Sequence, residues 1–247
     1  MPSAGTSRPG TCPGHSEPPV LSLHLEAPAG RPLSILAIGA HPDDIEIGAG
    51  GTLLSLAAAC PGLRARYVVM TGTAERHLEA RGAASAFLPS GDVRVDLHDL
   101  PEGRFPAVWA QVKDALEEVA RSCSPDVIFA PSPADAHQDH RTIGEIVPTV
   151  FRDQLCLGYE IPKWDGDLGQ PSMYFPLSAD VARRKAELLH KCFPSQRVRD
   201  WWDDEVFLGM ARLRGMECRA PYAEAFTCAK SVILPPRPGA GPGGIST

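Results

Sequence analysis

The chain has 247 residues, 30 acidic and 24 basic side chains, a net charge of −6 and 43 % hydrophobic residues. That length suits one α/β domain with a sizeable core rather than two. The acidic balance argues against a nucleic-acid partner, which needs a basic stripe, and no stretch approaches the roughly 20 apolar residues of a membrane span.

Residues 1–30 and 235–247 are rich in Pro, Gly and Ser or Thr and are expected to be disordered tails. They enclose one domain over 31–234. Within it, Ser34 to Ala40 is apolar nearly throughout, as in a strand buried on both faces of a parallel sheet. Thr52 to Ala57 reads as helix stopped by Cys60-Pro61-Gly62, and strands are expected at 66–70 and 92–97 with a helix at 75–88 between them. The helix expected over 106–122 sets Val108, Val112, Leu116 and Val119 at helical spacing against Lys113, Asp114, Glu117 and Glu118. A fourth apolar strand follows at 126–130. The rhythm predicts a Rossmann-like, doubly wound, mostly parallel α/β sheet with helices on both faces. Right-handed crossovers give the order 3-2-1-4, with strands 1 and 4 adjacent where ligands bind. Residues 159–167 are turn-rich and read as a cleft wall, and helices resume at 178–192 and 203–214.

Two short clusters each follow one of those neighbouring strands: His41-Pro42-Asp43-Asp44 and His137-Gln138-Asp139-His140. A hydrolytic zinc site takes three His or carboxylate ligands and leaves one position for water. His41, Asp44 and His140 meet that count. Asp43 is then free to act as general base, His137 could donate to a leaving amine or an oxyanion, and Asp139 could orient a histidine. Alone, Asp43 or Asp44 would read as a helix cap; a cap, however, uses one acceptor and needs no histidine. Two other readings stay open: a non-haem iron oxygenase using His41-x-Asp43 with a distant His, normally mounted on a jelly roll, and a metal-free ligand-binding module.

The run Ala40-His41-Pro42-Asp43-Asp44, with Glu46 and Gly48 to Thr52 behind it, followed by His137-Gln138-Asp139-His140, resembles the LmbE-like or PIG-L-like N-acetylglucosaminyl deacetylases. The likeness spans roughly residues 33–230. It implies Zn2+ on His41, Asp44 and His140, with Fe2+, Co2+ or Ni2+ as alternatives, Asp43 as base and His137 as electrophilic or acid partner. It also implies a small N-acylated sugar, sugar nucleotide or glycosylated natural product as substrate, usually N-acetylated. Arg76-x-x-Glu79 matches a further family helix, so Arg76 is a candidate substrate contact; the plain alternative is an i,i+3 ion pair on a wet face. The chain departs from many members in having Ile45 before Glu46, and Asp135 where some carry Tyr.

Other features carry less. Trp164 could line the cleft, whereas Trp201 and Trp202 read as core or oligomer contacts, and a homo-oligomer stays open. Gly48 to Gly51 read as close helix–sheet packing rather than a dinucleotide fingerprint. Arg183, Arg184 and Lys185 read as a solvated helix face. The seven cysteines are scattered, odd in number and never spaced C-x-x-C. With no continuous apolar leader, they suggest reduced thiols and a cytoplasmic protein.

Overall fold

The computed structural model describes residues 20–26, 30–89 and 91–234. The expected tail at 235–247 and most of that at 1–30 lie outside these residues; the described piece at 20–26 contains no helix or strand. In chain order the elements are β1 (Ser34–Gly39), α1 (Asp44–Ala59), β2 (Arg64–Val69), α2 (Ala74–Phe87), β3 (Asp92–Leu97), α3 (Trp109–Ser122), β4 (Val127–Pro131), α4 (Gln138–Val150), β5 (Leu155–Tyr159), β6 (Met173–Leu177), α5 (Ala179–Cys192), α6 (Asp204–Glu217) and β7 (Tyr222–Cys228). They form a single seven-stranded sheet ordered β3-β2-β1-β4-β5-β7-β6. The first five in that order run parallel; β7 is antiparallel to both β5 and β6.

The expected order 3-2-1-4 holds. Its physical basis is visible in β1, where Ile35 and Ala37 enter one apolar layer and Leu36 and Ile38 the other. The first layer is closed by α1, α2, α5 and α6, the second by α3 and α4, where Val112, Leu116 and Val119 form the stripe read from the sequence. Ala37 is in register with Phe129, so β1 and β4 end side by side. The loops at 40–43 and 132–137 therefore leave the same edge of the sheet.

The sequence reading missed β5, β6, β7 and α4. β5 is only five residues long and contains Gly158; β6 carries Pro176 and β7 carries Glu224, none of which reads as core strand. Glu224 is nevertheless buried. It accepts from the backbone N–H of Gly51 (2.8 Å) and Thr52 (2.7 Å) and from Lys185 Nζ (2.6 Å). This corrects the solvated-face reading of Lys185, which lies buried beneath α1 because its charge is matched by Glu224 and by the Ile47 carbonyl at 2.6 Å.

The glycines of α1 do serve close packing. A Cβ on Gly48 would stand 2.3 Å from the Tyr159 ring, one on Gly50 2.6 Å from Phe87, and one on Gly51 2.5 Å from Leu177. Six described cysteines are all free thiols, and no described helix is long and apolar enough to cross a membrane.

Candidate metal centre

The site forms where β1 and β4 end. His41 and Asp43 occupy the loop after β1, Asp44 opens α1, Asp135 and His137 lie in the loop after β4, and Asp139 and His140 sit in the first turn of α4. His41 Nδ1 lies 3.1 Å from His140 Nε2, and Asp44 Oδ2 lies 3.5 Å from the former and 3.3 Å from the latter. Three donors each about 2.0–2.2 Å from one tetrahedral centre would stand about 3.3–3.6 Å apart. The observed triangle fits one small divalent cation. Nitrogens of His41, His137 and His140 also lie within 4.8 Å of one another, but that trio is looser, and Asp44 supplies the tighter third donor.

Each member is held by its own partner. Asp44 Oδ2 accepts from the His41 backbone N–H at 2.8 Å, tying the carboxylate to the loop before it. His140 Nδ1 meets Asp135 Oδ2 at 3.0 Å, which directs the opposite nitrogen toward His41 and Asp44. Asp135 also accepts from the His137 N–H at 2.8 Å and contacts Lys163 Nζ at 3.0 Å. The sequence reading treated Asp135 only as a departure from the family; its partner, five residues on in the next helix, explains its place. Asp139 is fully buried, accepting from Gly103 N–H at 2.6 Å and Phe105 N–H at 3.0 Å, while its Oδ2 faces His41 Nε2 at 3.4 Å. That last separation is too long for a firm hydrogen bond and leaves the imidazole N–H without a close partner.

Asp43 does not behave as a cap. It stands at the N-terminus of α1 yet makes no side-chain cap bond, and its φ is 129°, a region that costs a non-glycine residue about 1–3 kcal/mol. Its Oδ1 meets Arg76 Nη2 at 3.2 Å, and the same guanidinium nitrogen donates to the Pro42 carbonyl at 2.9 Å. Arg76 is thus neither an i,i+3 partner of Glu79 nor a free surface cation. Glu79 instead accepts from the Ser195 N–H and Oγ at 2.9 and 2.6 Å. The carboxylate facing the two imidazoles is Asp44, while Asp43, the acid of the expected His41-x-Asp43 iron triad, pairs with Arg76, and the frame is a mostly parallel sheet rather than a jelly roll.

The electrostatics follow from packing carboxylates against imidazoles. Burial alone would raise Asp44, but the charges of His140 and His41 hold it well below the usual carboxylate range. Burial alone would lower the histidines; the surrounding carboxylates together outweigh it, Asp44 with Asp139 and Asp43 lifting His41 to about 10 and Asp44 with Asp135 lifting His140 to about 9. Asp43 is pushed up to about 7 by burial, with Arg76 opposing and Asp44 assisting. His137 is lowered, first by burial and then by the charges of His140 and His41. Its Nδ1 accepts from the Asp139 N–H at 3.3 Å, which puts the ring proton on Nε2.

A cleft of about 230 Å3 opens over these groups, walled by Arg76, Glu102, Ile161, Lys163, Trp164, Arg199 and Trp201. Trp164 is 62 % exposed on that wall, whereas Trp202 is core. Trp201, expected with Trp202 as a packing residue, packs against it and also reaches the cleft.

Comparison with known proteins bears on this geometry. Residues 36–151 match the family described as PIG-L, GlcNAc-PI de-N-acetylase. The uncharacterized deacetylase YaiS of Escherichia coli (strain K12) is 33 % identical over 156 residues, covering 58 % of this chain and 82 % of YaiS. The chain belongs to the PIG-L/LmbE-like deacetylase family. Among solved structures, the N,N'-diacetylchitobiose deacetylase of Pyrococcus horikoshii superposes with a TM-score of 0.62 at 20 % identity, over 80 % of this chain and 84 % of that one. GalB, the 4-carboxy-2-hydroxymuconate hydratase of Pseudomonas putida KT2440, does so with a TM-score of 0.63 at 15 % identity, over 83 % and 99 %. At such identities these two establish the shared fold alone, and the fold serves more than one reaction.

Proposed function

We propose that this chain is a Zn2+-dependent amidohydrolase that removes an N-acyl group, most simply acetyl, from a small amino-sugar conjugate. Family membership supports N-deacetylation. The observation that carries the metal is the triangle of His41 Nδ1, His140 Nε2 and Asp44 Oδ2, with spacings of 3.1, 3.3 and 3.5 Å, beside a carboxylate that no cap bond occupies.

His41, Asp44 and His140 would hold the cation; Asp135 would fix the His140 imidazole, and Asp139 faces the far nitrogen of His41 at 3.4 Å. When bound, such a cation acidifies water and polarises an acyl carbonyl. Asp43, which burial raises above the ordinary carboxylate range, takes the proton of the attacking water. His137, neutral and carrying its proton on Nε2, donates a hydrogen bond to the developing oxyanion rather than acting as an acid. Protonated Asp43 then returns its proton to the departing nitrogen. Arg76 keeps Asp43 in place and opposes its protonation in the resting site, so its part is to position the base.

Acetate release from N-acetylated sugars, sugar phosphates and glycosides, with and without a chelator, tests this reading. Release that stops with the chelator and returns with Zn2+ is the expected outcome. Turnover that survives complete metal removal would overturn it, and hydration of an unsaturated acid without acetate release would favour the hydratase chemistry of the GalB fold.

A further inference from the structure

A second depression of about 340 Å3, bounded by Trp164, Ser195, Val198, Arg199 and Asp200, adjoins the cleft over the metal centre. Trp164 and Arg199 belong to both. By itself the inner cleft falls below the roughly 300–1,000 Å3 of ordinary small-molecule sites; with the outer depression the space reaches that range. The volume suits a two-part molecule, one part at the metal and one beyond Trp164.

The junction is built rather than incidental. The Trp164 indole N–H donates to Asp200 Oδ1 at 2.9 Å, and its ring packs edge-on to Trp201 at 6.1 Å. The ring is therefore fixed although it is mostly exposed. Arg199 lies over it, its guanidinium carbon 5.5 Å from the ring centre, and its Nε donates to Gln196 Oε1 at 3.3 Å.

Charge singles out Arg199 among the cations of the wall. Arg76 is paired with Asp43 at 3.2 Å, and Lys163 with Asp135 at 3.0 Å and Asp167 at 2.6 Å. No described carboxylate forms an ion pair with Arg199, since Asp200, the nearest acid in sequence, bonds the indole instead. A guanidinium stacked on an aromatic ring keeps its outward N–H groups free for a planar or tetrahedral oxyanion. The exposed part of the Trp164 ring offers an apolar surface to a pyranose.

Resting on the deacylase reading of the inner cleft, we propose that Trp164 and Arg199 form a specificity subsite. Its ligand is the second part of the substrate, a unit attached to the amino sugar and bearing a carboxylate or a phosphate. The sugar lies along Trp164 and the acidic group meets Arg199, so the pair selects acidic conjugates over neutral ones.

The test compares kcat/KM for the methyl glycoside of N-acetylglucosamine, its carboxymethyl glycoside and N-acetylglucosamine 1-phosphate. Wild-type protein should prefer an acidic conjugate by about tenfold or more, the scale of one charge-assisted hydrogen bond at a part-exposed site. The two acidic members show whether carboxylate or phosphate is the better match. Arg199→Gln should bring the acidic-to-neutral ratio close to one, Arg199→Lys should retain part of it, and added salt should erode it in the wild type only. Equal wild-type rates for neutral and acidic members, or a ratio unchanged by Arg199→Gln, would overturn the subsite while leaving the deacylase reading standing. Calorimetric binding of glucosamine 1-phosphate provides a second measurement that needs no turnover. Anion-selective binding that depends on Arg199, without acetate release from any member, would uphold the subsite and overturn the deacylase reading; absence of both would overturn the two together.

Discussion

Asp135 offers the sharpest check on the metal centre, because it touches His140 but cannot reach the donor triangle. Asp135→Asn keeps the size of the side chain and removes its charge. The change affects three contacts at once: His140 Nδ1 at 3.0 Å, the His137 N–H at 2.8 Å and Lys163 Nζ at 3.0 Å. An amide has one oxygen where the carboxylate had two. Whichever way it turns, its NH2 faces either the His140 Nδ1 proton or the Lys163 ammonium. The oxygen serves two donors, the His137 N–H and Lys163, in one orientation and a single donor in the other, so it turns toward the pair and His140 loses the acceptor that fixes its Nε2 toward His41 and Asp44. Losing such an orienting partner ordinarily costs 10–100-fold in metal affinity, and loss of a buried charge-assisted bond costs about 1–3 kcal/mol of stability. Chelator competition for Zn2+ should show an affinity loss in that range, and the absorption bands of the Co2+-substituted protein should shift as His140 reorients. An Asp135→Asn protein that folds and holds Zn2+ within twofold of wild type would falsify the orienting role.

Asp43→Ala should retain about one equivalent of Zn2+ and lose 10²–10⁴-fold in turnover, as when a general base is removed; His140→Ala should lose both metal and turnover, and parallel metal analysis and acetate assays separate the two. Glu46 is buried, and burial pushes it up to about 8, from an ordinary value of 4.5. Its folded form keeps a proton that the unfolded chain gives up, so its stabilising contribution is complete below 4.5, drains away as pH rises, and is gone above about 8. Denaturant titrations across that window should find Glu46→Gln gaining on wild type by up to about 1.4 kcal/mol per pH unit and then levelling; a constant difference would remove Glu46 as a neutral buried acid. Gly48→Ala sets a methyl 2.3 Å from the Tyr159 ring and should cost about 1–3 kcal/mol by thermal unfolding, since Tyr159 is locked by its hydroxyl donating to the Ile38 carbonyl at 2.6 Å.

What the sequence determined by itself was the inner half of the sheet and the chemistry carried on it. The apolar runs of β1 to β4 and the alternation with helices dictate the order β3-β2-β1-β4, because right-handed crossovers permit few others. That order brings the loop holding His41 and the helix start holding His140, 99 residues apart, to one edge. The glycines of α1 were likewise legible, as residues without a side chain to clash.

Only the tertiary structure decided how the neighbouring acids divide their work. Asp43 and Asp44 are identical and adjacent in sequence. One backbone torsion of 129° sends the first toward Arg76 and leaves the second facing two imidazoles. Asp135 and Lys185 illustrate the same limit. A lone acid or lysine in a pattern reads as solvated surface, because its counter-charge is absent from local spacing: Lys163 lies 28 residues from Asp135, and Glu224 lies 39 from Lys185. β5 to β7 were hidden for a related reason. Their residues become core only once paired, and a short strand with Gly158, Pro176 or Glu224 carries little apolar signal before its neighbours are in place.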